Sequence, residues 1–151
     1  MKNINMKIFK AIENNDVDAV KKIISLDGFD VNEQDKIGRT PMHCAAYFGN
    51  TEIIKILVEN GADINETNNW GRTPLHISVM NSQLEACKSL IINDADQSIK
   101  DDFGLSPSGH ALLNKNNECY FMLNSNPESK NGYIKTMTNF INNKFISGEY
   151  N

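Results

Sequence analysis

Six side chains of this 151-residue sequence are the first candidates for nucleophilic, acid–base or metal chemistry: His43, His76, His110, Cys44, Cys87 and Cys119. A structural zinc site brings two ligands within about two to four positions of each other, and the cysteines here are spread far more widely. An odd count at long spacing implies no disulfide framework, and a chain of this length does not need one. The thiols read as small buried hydrophobes in a reducing, cytosolic compartment. His43 and Cys44 are adjacent, but neighbours on a helix point about 100° apart, which does not suit a nucleophile–base pair. His43 and His76 are distant from each other in the chain, with no second ligand type repeated beside them. There is no phosphate-binding glycine loop and no Gly-x-Ser-x-Gly elbow. These residues therefore predict no catalytic site, no metal and no cofactor, and the sequence reads as a non-enzyme.

Composition narrows the remaining classes. Fifteen Lys+Arg against 19 Asp+Glu give a net charge of -4, which argues against direct nucleic-acid binding. A hydrophobic content of 40% is too high for a disordered chain and too low for a membrane bundle. No apolar run approaches the roughly 18 residues of a membrane span. Residues 1–10 carry lysines but no continuous apolar stretch, so they do not read as a secretory signal. The expectation is one cytoplasmic domain, with nuclear or host-cell delivery as open alternatives, monomeric when free and without a membrane association.

What must position the histidines is a repeat. Gly38-Arg39-Thr40-Pro41-Met42-His43 recurs as Gly71-Arg72-Thr73-Pro74-Leu75-His76, and 11 of 33 aligned positions are identical. Applied once more, the same offset leads to Gly104, Pro107, Asn114, Glu118 and Leu123, which keep the register. Backwards, Asp30-Val31-Asn32 precedes Asp63-Ile64-Asn65. Four units result, at about 2–34, 35–67, 68–100 and 101–127, and residues 128–151 follow as a loop and a C-terminal helix.

Within the second unit, Gly38 suits a turn, Thr40 an N-cap and Pro41 a first helical position. A short helix should run from Pro41 to Tyr47 or Phe48 and end at Gly49 in a left-handed cap. A second helix, about Thr51 to Asn60, places Ile53, Ile54 and Leu57 on one face, and Gly61 stops it. Helices this short cannot bury their apolar faces alone, so the units must stack. Asn15 stands where Gly49 stands and tolerates the same left-handed state. Ser82 and Asp94 replace Gly49 and Gly61 in the third unit, which predicts weaker helix ends there. Tyr133, Met137, Phe140, Ile141 and Phe145 fall at helical spacing and predict a helix capping the array.

The period and its landmarks, Thr40-Pro41-Met42-His43, Ala45-Ala46, Gly49 and Gly61-Ala62-Asp63-Ile64-Asn65, closely resemble the ankyrin repeat over about residues 5–127. The resemblance implies an all-α solenoid of stacked helix-turn-helix units with β-hairpin-like fingers. It implies buried imidazoles at His43 and His76 that hydrogen-bond backbone between units. His110 sits one residue off this register. Asn65 is similar to asparagines that a hydroxylase modifies in this family, although a turn asparagine capping local backbone is the plainer reading.

In such arrays the finger tips and the concave side of each first helix are free of packing duty. Two columns at the repeat period occupy them. The finger column is Ile37, Trp70 and Phe103; the helix column is Tyr47, Met80 and Leu113, with Phe48 beside it. Arg39 and Arg72 stand between them, and Leu105 adjoins the column in the last unit. Aromatic residues, Met and Arg are the types enriched at binding hot spots. Acidic residues gather near the fingers, which suits a partner with a basic rim. The expected function is a non-enzymatic protein-interaction module, a small stand-alone inhibitor or adaptor gripping a protein partner through its concave face. Open alternatives are a microbial effector, a viral host-mimic, a toxin-neutralising immunity protein or an assembly chaperone.

Overall fold

The computed structural model describes residues 2–124, with side chains from residue 6 onward. Among these residues there are eight helices and no strand. They come in four pairs: α1 (Lys2–Glu13) with α2 (Val17–Ile24), α3 (Pro41–Phe48) with α4 (Thr51–Glu59), α5 (Pro74–Met80) with α6 (Leu84–Ile92), and α7 (Pro107–Leu113) with α8 (Asn117–Asn124). The first helices stack in the order α1, α3, α5, α7, and the second helices in the order α2, α4, α6, α8. This is the all-α solenoid the period implies. The C-terminal helix expected within 128–151 lies outside the described residues.

The first helix of each central unit starts where the sequence says it must. Thr40 and Thr73 are extended, and each hydroxyl accepts the backbone N–H of the histidine three residues on, at 3.4 Å. Pro41 and Pro74 open the helices. Ser106 and Pro107 repeat the device in α7, where the serine hydroxyl accepts from Gly109 N–H at 3.3 Å. Between the two layers lies a continuous core. Ile8, Ile12, Val20, Met42, Ile53, Ile54, Leu57, Leu75, Val79 and Leu90 are essentially excluded from water. Each such side chain contributes about 1.5–3 kcal/mol by burial.

The fingers are tight turns rather than strands. Asp35 Oδ1 accepts the N–H groups of Ile37 (3.0 Å) and Arg39 (2.9 Å), and Gly38 N–H closes the turn on Asp35 O (3.0 Å). Asn68 and Asp101 build the same turn around Trp70 and Phe103. Asn69 N–H then donates to Ile37 O (3.2 Å), and Asp102 N–H to Trp70 O (3.1 Å), so each finger is bonded to the next. This closeness is why Gly38 and Gly71 are glycines. Both have positive φ, and a Cβ on Gly38 would lie 2.7 Å from Asn69 N, one on Gly71 3.1 Å from Asp102 N.

The helix ends separate the units by quality. Gly49 and Gly61 hold φ of 76° and 82°, whereas Ser82 and Asp94 are forced to 55° and 67° at the same register. Asn15 and Lys115 are left-handed too, at 53° and 54°. For serine or lysine this conformation costs roughly 1–2 kcal/mol, and less for Asn and Asp, whose short polar side chains tolerate it. Ser82→Gly is therefore expected to stabilise the protein by about 0.5–1 kcal/mol after the extra chain entropy of glycine, and Asp94→Gly by less. Thermal unfolding checks this; a lowered midpoint for both variants would contradict it.

Candidate functional site

Both repeated histidines prove to be struts. His43 is buried between units two and three. Its Nδ1 accepts Thr40 N–H at 3.1 Å, and its Nε2 lies 2.9 Å from Arg72 O in the next unit. An acceptor nitrogen cannot carry a proton, so the ring is neutral with its hydrogen on Nε2, donated to that carbonyl. His76 does the same with Thr73 N–H (3.2 Å) and Leu105 O (3.0 Å). Burial pushes the pKa of His43 down to about 4 and lowers that of His76 too. Neither ring is available to a substrate.

The cysteines are buried and reduced. Burial raises Cys44 to about 11, so its thiolate is not available near neutral pH. Cys87 and Cys119 interact where α6 meets α8. No cluster of three or more His, Cys, Asp or Glu able to hold a metal ion occurs among the described residues. No helix among them is long and apolar enough to cross a membrane.

One polar cluster escaped the sequence reading. Asp101 is buried, with its side chain fully shielded, and its Oδ2 receives His110 Nε2 at 2.7 Å and Arg72 Nε at 3.3 Å. Burial would raise this carboxyl, but the bonds from His110, Leu105 N–H, Arg72 and Phe103 N–H outweigh it and hold the pKa at about 2. His110 lies off register because Gly109 occupies the strut position, and its ring turns instead to the finger carboxylate. Its edge also meets the His76 ring, with centroids 5.7 Å apart. The available signal was the type of residue 101: it repeats Asp35 and Asn68, and a carboxylate there gives an off-register histidine a partner. Asp101→Asn keeps the turn, as Asn68 shows, but removes the charge that balances Arg72 and weakens the acceptor of the His110 contact. We expect a loss of about 1–3 kcal/mol, and a larger one for Asp101→Ala. Urea unfolding of the two variants decides, and equal stability of Asp101→Asn and wild type would contradict it.

The structure places the two apolar columns at the surface. Tyr47, Phe48 and Trp70 are 48%, 40% and 42% exposed, and Ile37, Phe103 and Leu113 are exposed as well. Met80 and Leu105 are half-buried. The finger-to-finger hydrogen bonds set Ile37, Trp70 and Phe103 on successive tips. The stacking of α3, α5 and α7 sets Tyr47, Met80 and Leu113 at successive helix ends. Tyr47 and Phe48 meet edge to face, with ring centroids 4.9 Å apart. The arginines between the columns have work inside the molecule. Arg39 pairs with Asp35 at 2.8 Å and lies over the Phe9 ring. Arg72 pairs with Asp101 and lies over the Phe103 ring, 5.6 Å from its centroid, within cation–π range. Each guanidinium thus braces a finger beside the columns.

Much of the acidic edge is also framework. Asp30, Asp63 and Asp96 each accept the N–H two residues on. Asn32 and Asn65 accept from Asp63 N–H (2.7 Å) and Asp96 N–H (2.8 Å), tying each unit to the next. Asn65 therefore caps backbone in the following unit.

Comparison with known proteins agrees with this architecture. No curated protein matches the chain. A family model of ankyrin repeats, in three copies, matches residues 8–101, which is more than half of the sequence. The fourth pair, α7 and α8, lies beyond the matched stretch. Ankyrin repeats are in general protein–protein interaction modules, typically without enzymatic activity. With its regular period, paired helices, histidine struts and bonded fingers, the chain belongs to the ankyrin-repeat family.

Proposed function

We propose that this protein is a binding module that covers part of a partner protein with the face carrying the two apolar columns, acting as an inhibitor or adaptor. One observation carries the reading. Ile37, Trp70 and Phe103, with Tyr47, Phe48 and Leu113, are large apolar side chains left exposed at positions the fold does not need filled. A contiguous apolar stripe at the surface marks an interaction site. The fingers that present it are held by backbone bonds and by the Arg72–Asp101–His110 cluster. A stiff platform loses little entropy when it binds. Glu33, Glu66 and Asp102 lie close by in sequence and, unlike the framework acids, build no turn; they suit a partner with a basic rim, whose effect would be on the rate of encounter.

The experiment is affinity capture from cells that make the protein, with wild type and the triple variant Tyr47→Ala, Phe48→Ala, Trp70→Ala run side by side. A protein held by wild type and lost by the variant, with unchanged circular dichroism, supports the reading. The same captured set from both contradicts it.

A further inference from the structure

We infer that residues 133–145 of this same chain pack on the exposed end of the last helix pair, against Leu112. The observation is a break in burial along one register. Ala46 on α3 and Val79 on α5 stand one repeat apart, and both are fully buried. Leu112 occupies the same position on α7 and is 61% exposed. What distinguishes it is the neighbour. A further unit follows α3–α4 and another follows α5–α6, whereas no described element follows α7–α8. The unit-to-unit ladders stop at the same place. His43 reaches Arg72 O and His76 reaches Leu105 O, but Gly109 stands at the strut position of the last unit. A Cβ on Gly38 or Gly71 would strike the next finger, while one on Gly104 meets nothing within 4 Å. The opposite end is finished differently: Lys7, Lys10, Lys21 and Lys22 are exposed on α1 and α2. A terminal unit needs such a polar outer face, or a cover.

The chain itself supplies the cover. Tyr133, Met137, Phe140 and Ile141 recur at the three- and four-residue spacing of one helical face. Only residues 125–132 separate them from the end of α8 at Asn124. A linker of that length spans up to about 26 Å, and helices pack about 8–10 Å apart, so the segment reaches the end face easily. Such a short tether also holds it there at roughly millimolar effective concentration, ahead of a second copy or a separate protein. This contact is distinct from the partner face, which takes Leu113 and not Leu112.

The test is a double-mutant cycle in the full 151-residue chain: Leu112→Gln, Phe140→Gln and both together, followed by urea unfolding. Each single substitution should lower the folding equilibrium constant about tenfold, and the double should lose much less than the hundredfold product. Losses that multiply overturn the proposal. Hydrogen exchange gives a second readout on folded protein. Amides of 133–145 should exchange slowly in wild type and at least about tenfold faster in Leu112→Gln; fast exchange in wild type overturns it. Sedimentation should show one chain at all concentrations, and a mass that rises with concentration would overturn it by assigning the face to a second copy.

Discussion

Between pH 6.5 and pH 4 the protein is expected to lose about 3 kcal/mol of stability through His43 alone, with His76 adding in the same direction. Burial disfavours the imidazolium, and Nδ1 is already committed to accepting the Thr40 N–H. A proton on Nδ1 would break that bond and set two donors facing each other. The unfolded chain has no such obstacle and protonates near its ordinary value of 6.5, while folded His43 holds out to about 4. More protons are then bound by the unfolded state, so stability is full above pH 6.5 and falls as the pH drops through the window. Asp101 extends the loss. Its folded pKa of about 2 lies below its ordinary 3.8, so its contribution is present above pH 4 and disappears below it. With total stabilities of about 5–15 kcal/mol typical of domains, this brings acid unfolding close to pH 4. Urea titrations from pH 7.5 to pH 4.5 check it, with His43→Gln as the control. The variant should be less stable at neutral pH yet show a shallower pH slope. A wild-type stability that stays flat between pH 6.5 and pH 4.5 would contradict the strut assignment.

The struts were legible in the sequence because they repeat. His43 and His76 share a register with Thr40 and Thr73, and a residue type that returns once per period must do something every unit does. Helix starts at Pro41 and Pro74, the left-handed Gly49 and the core face of Ile53, Ile54 and Leu57 were readable for the same reason. What could not be read is where register fails. His110 joins Asp101 through a contact between side chains from separate elements, and only the packed fold brings the finger carboxylate under α7. Period alone likewise places Arg39 and Arg72 between the columns but does not show that Asp35 and Asp101 hold their guanidinium groups. Sequence showed which positions were free of backbone duty, but the internal use of a long charged side chain depends on geometry.

The second large effect concerns the partner face. Tyr47→Ala, Phe48→Ala and Trp70→Ala together are expected to weaken partner binding by about a hundredfold or more, since central aromatic anchors each contribute about 2 kcal/mol. Stability should change by less than about 1 kcal/mol, because these side chains are largely outside the core. The reason to expect so large an effect is preorganisation. Tyr47 and Phe48 brace each other edge to face, and Trp70 rides on a finger whose turn is fixed by Asn68 and tied on to Asp102. Little freedom is lost on contact, so most of the burial energy is kept as affinity.

Calorimetric titration of the captured partner tests this most directly, comparing that front variant with a back variant, Glu52→Ala, Lys55→Ala, Glu59→Ala, on the exposed side of α4. The account expects the front variant to lose at least about a hundredfold in affinity and the back variant to stay within about twofold of wild type. Binding that survives the front substitutions and fails with the back ones would contradict it.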